Sequence, residues 1–162
     1  MYTAIRHFLA TWTRESAGTA RVMAALTDAS LEQRVAEGHR SLGELAWHVV
    51  VSQREILGKT GLTWDAPSKR DPAPSRAAAI HSAYVDAAKA LATVVDEQWD
   101  DATLQVCDAI YGREWPRGLT LTVMLHHEIH HRGQMTVLMR QAGLKVPGVY
   151  GPSADEEEVG AG

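Results

Sequence analysis

Leu119-Thr120-Leu121-Thr122-Val123-Met124-Leu125-His126-His127-Glu128-Ile129-His130-His131-Arg132-Gly133-Gln134-Met135-Thr136-Val137-Leu138-Met139-Arg140-Gln141-Ala142-Gly143 carries its apolar residues at helical spacing. Gly143 is the residue type that lets a chain turn left-handed after a helix, so the spacing predicts a helix from near Leu119 to Gly143. His127 and His131 stand four apart, and both imidazoles leave one face a turn apart. Met124, Met135 and Leu138 share that face, which places the pair on the buried stripe. Gln134 also projects there and can order an imidazole or a bound water.

Upstream, Ile5, Phe8, Leu9, Trp12, Thr19, Val22, Met23 and Leu26 recur at three- and four-residue intervals, which predicts a first helix over roughly 2–27, with Gly18 as a soft spot. The polar stretch from Thr27 to Arg40 reads as a connection. Ser41-Leu42-Gly43-Glu44 has the form of a capping box and opens a second helix running to about Leu57, with Leu42, Leu45, Val49 and Ile56 inward. Gly58, Gly61, Pro67, Pro72 and Pro74 mark a long loop. Ser75 is the expected N-cap of a third helix, whose apolar face carries Ile80, Tyr84, Ala87, Ala88, Leu91, Val94 and Val95. From Trp99 to Gly118 the pattern is irregular, with a short strand within Leu104–Ile110. Four amphipathic helices and one long crossover loop make an all-α four-helix bundle the natural architecture. Residues 1–152 read as a single domain, and 153–162 as an acidic tail expected to fray.

The chain has 162 residues, enough for a real core without disulfides, and its one cysteine, Cys107, cannot form an internal bridge. Its apolar stretches are far short of a bilayer span, and the first residues lack the layout of a secretory signal, so a cytoplasmic protein is expected. The formal charge is −4, partly from Asp155-Glu156-Glu157-Glu158. With no Lys/Arg cluster on one face, neither nucleic acid nor a membrane is an expected partner. Histidine is the informative residue, because four of eight fall within His126–His131.

An i, i+4 histidine pair suits a metal site, and it equally suits a polar seam of hydrogen-bonded imidazoles. His126 and His130 repeat the spacing about 100° around the helix, toward the edge of the stripe. A metal needs a third ligand, and His48, beside the apolar stripe of the second helix, is the best placed. His39 lies in a connection, and His7 and His81 stand alone on other helices. Glu128 falls about 100° off the ligand face, which reads as a surface position. Glu44 and Glu55 read as capping and solvated residues. Cys107 reads as a buried, inert thiol. Trp12, Trp47, Trp64, Trp99 and Trp115 suit core and interface packing, or the lining of an apolar pocket.

Ser41-Leu42-Gly43-Glu44-Leu45-Ala46-Trp47-His48 together with His127-Glu128-Ile129-His130-His131-Arg132-Gly133-Gln134-Met135 resembles the DinB/YfiT-like superfamily. There a histidine follows a Gly-Glu-Leu-type helix start, and two more lie in a His-x-x-x-His-Arg-Gly-Gln signature on the last long helix. Arg140-Gln141-Ala142-Gly143-Leu144, with Val146-Pro147 and Tyr150-Gly151, is similar to the family's ending. The resemblance implies a bundle, often a homodimer, that holds one divalent metal ion (zinc, nickel or iron). His48, His127 and His131 match the ligand positions, whereas His126 and His130 only neighbour the motif. Arg132 then reads as the partner of an acidic residue, and Gly133 as a place where another helix approaches. Family members include transferases that use bacillithiol or mycothiol, so the expected function is metal-dependent S-transfer from a low-molecular-weight thiol to a small-molecule substrate. Hydrolysis of a small substrate at the metal, or non-catalytic metal binding in a stress response, are the alternatives.

Overall fold

The computed structural model describes residues 1–157, and Glu158 and the rest of the acidic end lie outside the described residues. Four long helices form the bundle: α1 (Ile5–Ala24), α2 (Leu42–Leu57), α3 (Ala77–Gln98) and α4 (Arg117–Gln141). A hairpin of β1 (Cys107–Ile110) and β2 (Arg113–Pro116) precedes α4, and the short α5 (Ala154–Glu157) follows it. The architecture is the expected all-α bundle. Helix α4 packs chiefly between α2 and α1, and α3 packs between the same two helices from the other side. One continuous core joins Phe8 and Trp12 of α1, Leu42 and Val49 of α2, Ile80 and Leu91 of α3, and Leu121 and Met135 of α4. Among the described residues no helix is long and apolar enough to cross a membrane.

The capping box at Ser41 forms as its residues dictate. Ser41 Oγ accepts from the Glu44 N–H at 3.2 Å, and Glu44 Oε2 accepts from the Ser41 N–H at 2.7 Å. The connection from Thr27 to Arg40 contains a 3₁₀ turn, Asp28–Glu32, closed by a second capping box between Thr27 and Ser30. Asp28 also caps α3 from a distance: the Ala77 N–H donates to its Oδ1 at 2.8 Å, and Arg76 pairs with its Oδ2 at 2.7 Å. Ser75 is therefore not the cap. A carboxylate 49 residues away satisfies the exposed N–H instead.

The strand expected within Leu104–Ile110 is half of a hairpin. Ile110 faces Arg113, so the turn is Tyr111-Gly112, and both residues have positive φ (51° and 76°). That is the two-residue turn whose twist matches the strands. Cys107 lies on the outward side and is exposed, which corrects the expectation of a buried thiol. Tyr2 crosses the start of α4, where its N–H donates to the Gly118 carbonyl at 3.1 Å. A Cβ at Gly118 would stand 2.0 Å from the Tyr2 carbonyl oxygen. Gly118→Ala is accordingly expected to lower stability by about 1–3 kcal/mol, measurable by urea denaturation. An unchanged midpoint would show that the N-terminal crossing yields freely.

Gly18 is a site of close approach rather than a weak point in α1. Val149 of the C-terminal segment lies 2.8 Å from where its Cβ would be, with the Arg132 guanidinium 3.4 Å away. Gly133, by contrast, has nothing within 4 Å of that position, so no helix approaches it. In the part of the acidic end that is described, Asp155 and Glu156 accept from the backbone N–H groups of Val146 and Gly148 at 3.0 and 2.9 Å.

Candidate metal centre

His48 reaches the site from the second turn of α2, and His127 and His131 from successive turns of α4, which packs against it. His127 Nε2 lies 3.2 Å from His48 Nε2 and 3.2 Å from His131 Nε2. All three ligand-capable nitrogens fall within 4.8 Å of one another, a group that can hold a metal ion. Two nitrogens bound at about 2.0–2.1 Å to one zinc ion stand roughly 3.0–3.4 Å apart, so the spacing fits a shared ion.

The protonation states agree with that fit. Burial, with the Arg40 guanidinium next, pushes His48 down to about 4. Burial, then repulsion from His131, takes His127 to about 4. His131 is lowered by burial as well. The imidazoles are thus neutral at pH 7 with lone pairs to give. His131 Nδ1 lies 2.7 Å from Gln134 Oε1, an acceptor, so its proton sits on Nδ1 and its Nε2 lone pair points at His127. Lone pairs converging this closely repel unless a cation or a shared proton lies between them. The His127 Nδ1 has no protein partner.

His126 and His130 are exposed and stay out of the trio, although the His130 ring meets that of His131 edge-on at 5.0 Å. Glu44 is used in capping and in pairing with Arg34. Glu55 is paired with Lys69, yet its charge is felt at both His48 and His127. Beside His131 opens a cleft of about 510 Å³ whose wall includes Leu45, Val137 and Leu138, with His39 and Arg40 contributed by the connection before α2. None of the five tryptophans lines it.

Near the trio lies a buried polar network that includes Glu128, which spacing alone placed at the surface. Glu128 is wholly buried, and its Oε1 accepts from Tyr84 Oη at 2.5 Å and Thr19 Oγ1 at 2.8 Å. Its Oε2 has no partner, and burial pushes the carboxyl up to about 7. Arg132 does find an acidic partner: its Nη2 donates to Glu15 Oε2 at 2.8 Å and to Tyr150 Oη at 2.6 Å. Burial alone would raise Glu15, but hydrogen bonds from Tyr150 and Arg132 outweigh it and hold that carboxyl below its ordinary value. A usable signal existed. Leu121, Leu125, Glu128, Arg132, Met135 and Met139 alternate by four and three, a second buried seam that meets the histidine face at Met135 and is otherwise rotated from it. Helix α4 is covered on both sides, so a residue 100° from the histidines is not thereby in water.

The fold and trio define a helical bundle with a three-histidine group able to hold a metal. Residues 1–159 match the model of the DinB family, and the chain belongs to that family. It is 42% identical over 156 residues to the uncharacterised protein YrdA of Bacillus subtilis, covering 96% of this chain and 93% of the relative. A solved DinB-like protein from Bacillus cereus ATCC 10987 superposes with a TM-score of 0.89 at 43% identity, covering 93% of this chain and all of that one. The DinB-like protein YjoA of Bacillus subtilis shares the fold, with a TM-score of 0.70 at 18% identity over 88% of this chain and 96% of its own.

Proposed function

We propose that this protein binds one divalent metal ion through His48, His127 and His131 and transfers a low-molecular-weight thiol to a small electrophile. The observation that carries the reading is the convergence of three neutral imidazoles at 3.2 Å spacings, with His131 in the wall of an accessible cleft. Among the described residues no fourth protein ligand joins the trio, which is the arrangement of reactive rather than closed structural sites. A bound ion would supply Lewis acidity there, lowering the pKa of a thiol that reaches it.

The chain's own residues then have defined roles. Gln134 holds the His131 tautomer, and Leu45, Val137 and Leu138 shield one side of the cleft from water. The thiol gives up its proton to solvent water and its sulfur attacks the electrophilic carbon. A carbon–sulfur bond forms as the bond to the leaving group breaks, and the leaving group departs with the electron pair. Hydrolysis is the second reading, for which Glu55, whose charge is felt at His127, would be the base, but the pairing of Glu55 with Lys69 weighs against it.

Metal content of the wild type and of a His127→Ala/His131→Ala variant tests the site. About one ion per chain is expected in the former and almost none in the latter, with the helical circular-dichroism signal retained. The cobalt-substituted protein should then develop a thiolate charge-transfer band when titrated with small thiols. No metal after reconstitution would remove the metal centre altogether. A loaded protein blind to thiols would remove the transferase reading and leave the metal.

A further inference from the structure

We propose that the cleft between the Val35–Arg40 loop and α4 is a binding site for a small amphiphilic anion, with Arg40 holding its carboxylate and Val35, Leu45, Val137 and Leu138 receiving its apolar body. This deepens the transferase reading and rests on it only for the end of the ligand that faces the histidines.

Three observations converge on it. First, Arg40 is a cation that the fold does not use. Among the described residues it makes no ion pair and no side-chain hydrogen bond, whereas Arg34 in the same loop binds Glu44 and the His39 carbonyl. Arg40 lines the same cleft as His131. Second, among the described residues no carboxylate lines the cleft, and Arg40 is the one residue of fixed charge in its wall. Third, the lips are apolar where a surface would ordinarily be polar. Val35 and Val137 are 59% and 53% exposed, and both line the cleft. At about 510 Å³ the space suits a molecule of metabolite size. A neutral apolar ligand would leave Arg40 unused, and a hydrophilic anion would leave the valine lips unused. A carboxylate on an alkyl or aryl body uses both, with a charge-assisted bond of good geometry to the guanidinium.

The test is titration of methyl-labelled protein with hexanoate, hexan-1-ol and hexylamine, which share one apolar body and differ in head-group charge. It is run on chelator-treated and on zinc-loaded wild type and on Arg40→Gln. Hexanoate should shift the methyls of Val35, Leu45, Val137 and Leu138 saturably, about tenfold more tightly than the alcohol, with the amine weaker still. Arg40→Gln should bring hexanoate to the level of the alcohol and leave the alcohol unchanged. Because the chelated protein is titrated too, the result stands apart from the metal. A carboxylate preference that survives chelation supports the cleft even if the transferase reading fails. Equal affinities for acid and alcohol, a preference untouched by Arg40→Gln, a preference seen only with zinc, or methyls that respond to protein concentration and not to hexanoate would each overturn it.

Discussion

Arg132→Met is expected to destabilise the protein by about 3–5 kcal/mol, the cost of leaving a buried charge without its partner. Arg132 and Glu15 are 3% and 4% exposed, and the guanidinium also donates to the Glu15 carbonyl and to Thr19 Oγ1, at 3.0 and 3.1 Å. Methionine fills similar space but satisfies none of these acceptors. What remains is a carboxylate in the core, hydrogen-bonded by Tyr150 at 2.7 Å and otherwise reached only by the exposed Arg14, whose Nε lies 3.9 Å from Oε1. Tyr150 belongs to the C-terminal segment, so losing Arg132 should also loosen the cover over Gly18. Glu15→Gln/Arg132→Met removes both charges and should recover much of the loss, because the penalty lies in the orphaned ion rather than in the missing pair. Arg140→Met is the control. Its pairing with Asp155 is long, at 3.5 Å, and exposed, and should contribute no more than about 1 kcal/mol. Urea melts of the four proteins decide the matter, and equal losses for Arg132→Met and Arg140→Met would refute the network's structural role.

Glu128→Gln is expected to change how stability depends on pH. The folded carboxyl titrates near 7 rather than at its ordinary 4.5, so between those values the native state holds a proton that the unfolded state has released. Stability from this group is therefore fully present below about 4.5 and is lost as pH rises through about 7, on the order of 3 kcal/mol in all. His48 and His127 act in the opposite sense. Their folded values near 4 lie below the ordinary 6.5, so the metal-free protein loses stability as pH falls through that window. The two slopes partly cancel in the wild type, and only the difference between wild type and variant isolates Glu128. Glutamine keeps an oxygen for Tyr84 and Thr19 and never ionises. The variant should match the wild type to within about 1 kcal/mol at pH 5 and exceed it by roughly 2–3 kcal/mol at pH 8. Denaturation curves of the chelated proteins at both pH values measure this, and parallel pH profiles would show that Glu128 is already ionised in the native state.

The four helices were legible because each carries an apolar stripe that has only one way to be buried, and the Ser41–Glu44 capping box because its partners are three residues apart. The His127/His131 pair was legible for the same reason: helical geometry alone puts both rings on one face. His48 was the best-placed candidate beside the stripe of its helix, but only the likeness of two motifs matched it to a ligand position, since nothing in the spacing within one helix says which other helix will lie against it. That is a property of packing, which set the 3.2 Å approach of His48 to His127. Tertiary structure likewise decided the positions that local reading misplaced. Glu128 is buried because α1 and α3 close over the second seam of α4. Cys107 is exposed because hairpin register turns it outward. Ser75 yields its capping role to Asp28, a residue brought near only by the fold. Local chemistry determined which segments are helices and which side chains share a face; the burial, partner and charge state of each were decided by the elements that came to lie opposite.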